Sequence, residues 1–177
     1  MSGSASAGSA DGPAGQTAGR SGGPGGQAGG QAGVLREPVG PVATQGRVRL
    51  RVRYCECDPM GVVHHSSYVP WLEMGRTELL RASGVSYADF ERAGIYLVIT
   101  RLECAYRAPS RYDDELVVHT RVLGATRVKI RHGYEVYRVA PEGGAGWEQL
   151  VLTAETTLAC VGADGKVRAL PEWLAGE

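Results

Sequence analysis

The hydrophobic period of this chain changes once, and the change limits what it can fold into. From Arg47 to Tyr54 the residues alternate without a break, Val48, Leu50, Val52 and Tyr54 on one side and Arg47, Arg49, Arg51 and Arg53 on the other. A period of two predicts a half-buried strand. From Ser67 onward Tyr68, Trp71, Leu72, Gly75 and Leu79 recur at steps of three and four, with Glu73, Arg76 and Glu78 between them. That spacing predicts a helix with one apolar stripe, laid against a sheet. Pro70 belongs in a first turn, where its missing N–H leaves no bond unmade. The helix therefore starts within a residue or two of Ser67, with Ser66 or Ser67 as its cap, and Ser83-Gly84 ends it.

The rest of the chain reads as strands. A short second helix is expected over Ser86–Ala93, with Ser86 as cap, Asp89 at the capping-box position and Gly94 as the stop. Strands follow at Ile95–Arg107, Glu115–Leu123, Arg127–Val139 and Gln149–Cys160, with a last short piece at Lys166–Ala169. Turn-rich stretches such as Pro109–Asp114, Pro141–Gly146 and Ala163-Asp164-Gly165 separate them. Tight connections impose antiparallel pairing, and one long helix covers only one sheet face, so a doubly wound α/β fold is excluded. The expected class is α+β, a strongly curved antiparallel sheet wrapped around one central helix. The other sheet face, or its edge, is left to pair with a second subunit.

Not all of the 177 residues contribute to that fold. Residues 1–45 are rich in Gly, Ala, Ser and Gln, with almost no large apolar side chain before Val34. Such a stretch buries too little surface to offset its ordering entropy. It reads as a disordered tail and a Pro38/Pro41 linker ahead of a single domain at 46–177. No apolar run is long enough for a signal peptide or a membrane span. The 19 basic residues balance the 19 acidic ones, so bulk charge does not call for nucleic acid, and the arginine row is the charged face of an exposed strand. Cys55, Cys57, Cys104 and Cys160 are too few and too scattered for a disulfide framework, which favours reduced thiols in a cytoplasmic protein. Cys55-x-Cys57 followed by His64-His65 lacks the second half of a zinc site, so neither a metal nor another cofactor is expected.

Chemistry concentrates between Tyr54 and Tyr68. Asp58-Pro59-Met60-Gly61 is a favoured type I turn, and as such needs no further role. A rigid turn is also a good way to hold a carboxylate. The helix that follows begins with unpaired N–H groups carrying partial positive charge. Asp58 beside that terminus makes a compact reaction site, in which the N–H groups bind a developing oxyanion. The carboxylate then attacks a carbonyl, or activates water to attack it.

The stretch Tyr54–Arg76 resembles the signature of hotdog-fold acyl-CoA thioesterases of the 4-hydroxybenzoyl-CoA thioesterase type, and especially the bacterial branch encoded with the Tol-Pal system. The matching residues are Asp58, Gly61-Val62-Val63, His65, Tyr68, Glu73 and Arg76, joined near the end of the chain by Leu158–Val161, Asp164-Gly165-Lys166 and Leu170-Pro171-Glu172. The resemblance covers about residues 47–173 and implies thioester hydrolysis at a site between two subunits of a dimer or tetramer. It implies Asp58 as nucleophile or general base, and the backbone N–H of His65 as the group polarising the thioester carbonyl. The His65 imidazole is then placed to orient the acyl group or relay a proton. Met60, Gly61, Val63, His64 and Tyr68 are the implied substrate contacts, Tyr68 as a pocket wall or as packing under the loop. Glu73 reads as an ion-pair residue for Arg76, with a minor claim to catalysis. Cys57, Met60 and His64 depart from the common pattern, and Met60 adds apolar bulk at the pocket mouth. Arg101, Arg107, Arg111, Arg127 and Lys129 form the pool of cations for the CoA pyrophosphate.

The expected activity is hydrolysis of acyl-CoA to the free acid and CoA. A thioester is already activated, so one placed carboxylate and an oxyanion site suffice. Two alternatives share the fold: a hydratase or dehydratase acting on an enoyl chain, and a non-catalytic acyl-CoA-binding module in which Asp58 is only a turn residue.

Overall fold

The computed structural model describes residues 33–140 and 146–175. The stretch 1–32, expected to form most of the tail, and residues 141–145 of the expected loop lie outside them. The elements in chain order are β1 (Gln45–Arg51), α1 (Tyr68–Ala82), α2 (Tyr87–Arg92), β2 (Ile95–Tyr106), β3 (Glu115–Ala125), β4 (Lys129–Val139) and β5 (Glu148–Gly162). Two single 3₁₀ turns, Tyr54–Glu56 and His65–Ser67, lie between β1 and α1. The strands form one antiparallel sheet in the order β1-β3-β4-β5-β2. An antiparallel sheet with one long helix packed against it is the α+β hotdog architecture expected.

β1 ends at Arg51, three residues before the alternation does. Beyond it the Val52 N–H donates to Asp114 O at 3.0 Å and its carbonyl accepts from Asp113 N–H at 3.1 Å. The chain then tightens into the first 3₁₀ turn, which swings Tyr54 out of the expected buried row to 82 % exposure. The Lys166–Ala169 piece does not form a strand. It folds back on β5 through one isolated bridge between Val161 and Val167. α2 matches its capping signal: Ser86 Oγ accepts from Asp89 N–H, and the Asp89 carboxylate accepts from Ser86 N–H.

The stripe on α1 meets the sheet as its spacing requires. Tyr68, Trp71 and Leu72 pack with Leu116 and Val118 of β3, Tyr134 and Val136 of β4, and Val151, Leu152 and Ala154 of β5. Burial of a side chain such as Leu72 stabilises by about 1.5–3 kcal/mol. Gly75 sits where α1 approaches β3: a Cβ there would collide with Thr120 Oγ1 and stand 3.2 Å from Val118 Cγ1. A second cluster of Leu80, Val85 and Phe90 is covered by Leu35 and Trp173. The segment ahead of β1 is held by Gly33 N–H to Arg92 O and by Ala43 N–H to Ser83 Oγ, both at 2.9 Å.

Although β2 and β3 are joined by a short link, they are not neighbours. They lie on opposite sides of the β4–β5 pair. The link, residues 107–114, starts against Val151 of β5, where Arg107 N–H donates to the Val151 carbonyl, and ends beside Val52 after β1. On the way it crosses the entry to α1, where the Ser110 carbonyl accepts from Val63 N–H at 2.8 Å.

Candidate active site

The loop between β1 and α1 is built around Glu56, a residue the sequence pattern did not single out. Its carboxylate is buried, at 6 % exposure. It accepts from the Arg53 N–H at 2.7 Å, from the Arg53 guanidinium, and from the Trp71 indole N–H at 3.0 Å. Burial pushes its pKa up, but these donors outweigh burial and hold the carboxyl below its ordinary range. The Glu56 carbonyl accepts from His64 N–H at 2.8 Å and from Ser67 Oγ at 3.1 Å. One side chain thus anchors the loop to α1, and one carbonyl anchors the helix entry to the loop.

On that frame Asp58 opens a hydrogen-bonded turn, its carbonyl accepting from Gly61 N–H at 2.9 Å and its Oδ1 from Met60 N–H at 2.8 Å. Gly61 has φ +75°, a conformation glycine adopts without strain. Asp58 N–H donates to Val62 O at 2.9 Å, and Cys57 bridges to Val63. The turn is closed on itself, with Asp58 half-buried at its base.

The helix is entered differently from expectation. Ser67 is already helical, with φ −67° and ψ −22°, and makes no side-chain cap. Its hydroxyl donates to Glu56 O instead. The capping role at this entry falls to His64, extended at φ −62° and ψ 137°, whose Nδ1 accepts from Ser66 N–H at 3.3 Å. His65 opens the 3₁₀ turn that leads into α1, and no acceptor for its N–H is found among the described residues. The first N–H groups of a helix are left over in this way.

Asp58, Val63, His65 and Tyr68 line one open cleft of about 400 Å³, together with Tyr106, Arg107, Ala108 and Pro109. Met60, Gly61 and His64 do not line it. Met60 is 82 % exposed at the turn, and the His64 ring lies tilted against the His65 ring with centroids 4.0 Å apart. The wall is aromatic: Tyr68 is buried and meets Trp71 edge-on at 4.9 Å and Tyr106 at 5.5 Å. The Tyr106 hydroxyl donates to the His65 carbonyl at 3.0 Å. Of the expected cation pool, Arg107 lies at this cleft, while Arg101 is engaged by Glu103. Glu73 forms the expected ion pair with Arg76 at 2.7 Å, away from the cleft.

Of residues 106–109, only Arg107 was a candidate from the sequence, as one of five cations, and nothing placed Tyr106, Ala108 or Pro109 at the site. They reach the site because the β2–β3 link crosses the sheet, which short-range patterns do not report. Among the described residues no group of three or more His, Cys, Asp or Glu gathers to hold a metal ion. The four cysteines are free thiols, with Cys55 exposed and Cys160 buried, and burial raises the pKa of Cys104 and Cys160.

An antiparallel α+β fold with one long helix and a carboxylate turn at that helix's entry defines a class, and comparison with known proteins names it. Residues 52–177 match the model of the thioesterase-like superfamily, and the chain belongs to this family. It is 32 % identical over 129 residues to YneP of Bacillus subtilis, covering 70 % of this chain and 88 % of that protein. It is 30 % identical over 129 residues to the acyl-CoA thioester hydrolase YbgC of Escherichia coli, covering 72 % and 91 %. Among solved structures, a DHNA-CoA thioesterase from Staphylococcus aureus is similar at 30 % identity and a TM-score of 0.62, over 71 % of this chain and 79 % of that one. The 4-hydroxybenzoyl-CoA thioesterase from Pseudomonas sp. strain CBS-3 shares the fold at a TM-score of 0.61 and 24 % identity, over 73 % and 94 %.

Proposed function

We propose that this protein hydrolyses acyl-CoA thioesters to the free acid and CoA, with Asp58 as the reacting carboxylate. The observation that carries the proposal is the meeting of Asp58 and His65 in one cleft, His65 being the first residue of the helix entry. The thioester carbonyl oxygen accepts from the His65 N–H, and the helix dipole favours the charge that grows there. As general base, Asp58 takes a proton from water, and the hydroxide adds to the carbonyl carbon. The tetrahedral oxyanion then collapses, the C–S bond breaks, and the CoA thiolate leaves and is protonated. As nucleophile, Asp58 instead forms a mixed anhydride as CoA departs, and water then cleaves it. Val63 and Tyr68 wall the acyl group, the His65 imidazole orients it, and Arg107 at the lip meets the CoA phosphates.

The cleft is open on one side, and the completed site is formed by two copies of the chain. β2 supports this reading: it is an edge strand with Val98 and Ile99 each 41 % exposed. Among the described residues no helix is long and apolar enough to cross a membrane. Four free thiols support a reducing, cytoplasmic setting. The residue pattern of the loop supports the Tol-Pal-associated branch, which the genes flanking this one would test.

The decisive assay follows free thiol release from short, medium and aromatic acyl-CoAs. Asp58→Asn is expected to stay folded and lose 10²- to 10⁴-fold in kcat as an order-of-magnitude range for a general base, and more for a nucleophile. One turnover in ¹⁸O-water places label in Asp58 only if it is the nucleophile. A wild-type protein inactive across acyl-CoA and acyl-carrier-protein substrates rules the proposal out.

A further inference from the structure

β2 stands at the edge of the sheet, yet its last residue reaches the helix entry. The Tyr106 hydroxyl bonds to the His65 carbonyl across 41 positions of sequence. The other bonds around His65 come from the loop itself. The His64 carbonyl, which shares a peptide unit with the His65 N–H, accepts from Ser67 N–H at 2.9 Å, and His64 N–H donates to Glu56 O at 2.8 Å. The carbonyl on the far side of His65 is bound by Tyr106. The peptide units before and after His65 are therefore both held, the second by the sheet.

This bond adds little to stability. Tyr106 is 50 % exposed, so water can serve both partners when the bond is absent. The ring is kept in place by its edge-on contact with buried Tyr68, a contact phenylalanine would also make. What the hydroxyl adds is direction: it limits rotation of the backbone about His65. An oxyanion donor works only when aimed at the position the oxygen will occupy. We infer that Tyr106 is a positioning residue, whose hydroxyl holds the His65 carbonyl so that the His65 N–H points into the cleft at the thioester oxygen. The inference rests on the proposed hydrolysis.

The test compares wild type and Tyr106→Phe in the full-length protein on the best acyl-CoA of the panel. Expected is a kcat lower by about 3- to 10-fold, the rate equivalent of one neutral hydrogen bond, with KM within about twofold and Tm nearly unchanged. A rise in KM at constant kcat would make Tyr106 only a pocket wall, and unchanged kinetics would leave the hydroxyl without a role; either result overturns the inference. A second readout does not depend on turnover. Amide hydrogen exchange in the peptide spanning residues 62–70 is expected to quicken in Tyr106→Phe, at the His64 and Ser67 amides, and not in α1. Exchange that does not change overturns the positioning role, even if wild type hydrolyses none of the substrates. Wild-type inactivity itself counts against the hydrolysis.

Discussion

At the residue scale, two buried titratable side chains shape how this protein responds to acid, in separate windows. Burial, and then the nearby charge of Arg76, push the His132 pKa down to about 4, below its unfolded value of about 6.5. The unfolded chain takes up that proton first, so stability falls as pH drops from about 6.5 to about 4. His132→Asn is expected to remove about 3 kcal/mol of that loss, read from urea melts at the two pH values. Glu56 acts lower down. Its folded pKa lies beneath the unfolded one, so its contribution is complete above about pH 4.3 and is lost as pH falls through the folded value. Glu56→Gln is expected to cost about 2 kcal/mol at neutral pH and to flatten the stability curve in strong acid. An unchanged acid limb would show that Glu56 does not anchor the loop. The turn at Asp58 was legible because turn chemistry is a local pattern. Glu56 was not, because its value comes from Trp71, fifteen positions on.

At the scale of elements, the fit between α1 and the sheet depends on a missing side chain. Gly75 leaves no room for a Cβ above Thr120 and Val118. Gly75→Ala gains about 1 kcal/mol of helix propensity, yet the overpacking it forces typically costs about 1–3 kcal/mol. The net expectation is a lower midpoint in denaturant, and a more stable Gly75→Ala would mean that the helix can lift away freely. The stripe that includes Gly75 could be read from its spacing, as could β2 to β5, because hydrophobic period is carried by neighbours along the chain. What could not be read is the strand order. Placing β2 at the far edge from β3 depends on which strands share a core. That in turn decides that residues 106–109, rather than a helical side chain such as Glu73, line the cleft.

At the scale of the whole molecule, the open cleft and the open edge belong to one question. Edge strands invite pairing unless charge or shape blunts them. Val98 and Ile99 on β2 are apolar and exposed, so lysine at both positions is expected to shift the protein to monomers in sedimentation velocity. Thiol release per subunit should fall with it, at unchanged far-ultraviolet circular dichroism. Wild type that sediments as a monomer at tens of micromolar would remove the shared site from the proposal. The expectation of self-association came from counting sheet faces, and only the structure shows that the edges are β1 and β2 and that β2 exposes Val98 and Ile99.

The uneven burial of the thiols makes the protein easy to instrument. Cys55 is exposed three positions ahead of Asp58, whereas Cys160 is enclosed and burial raises the pKa of both Cys104 and Cys160. A maleimide dye should enter first at Cys55, putting an optical reporter beside the Asp58 turn without engineering a new attachment point.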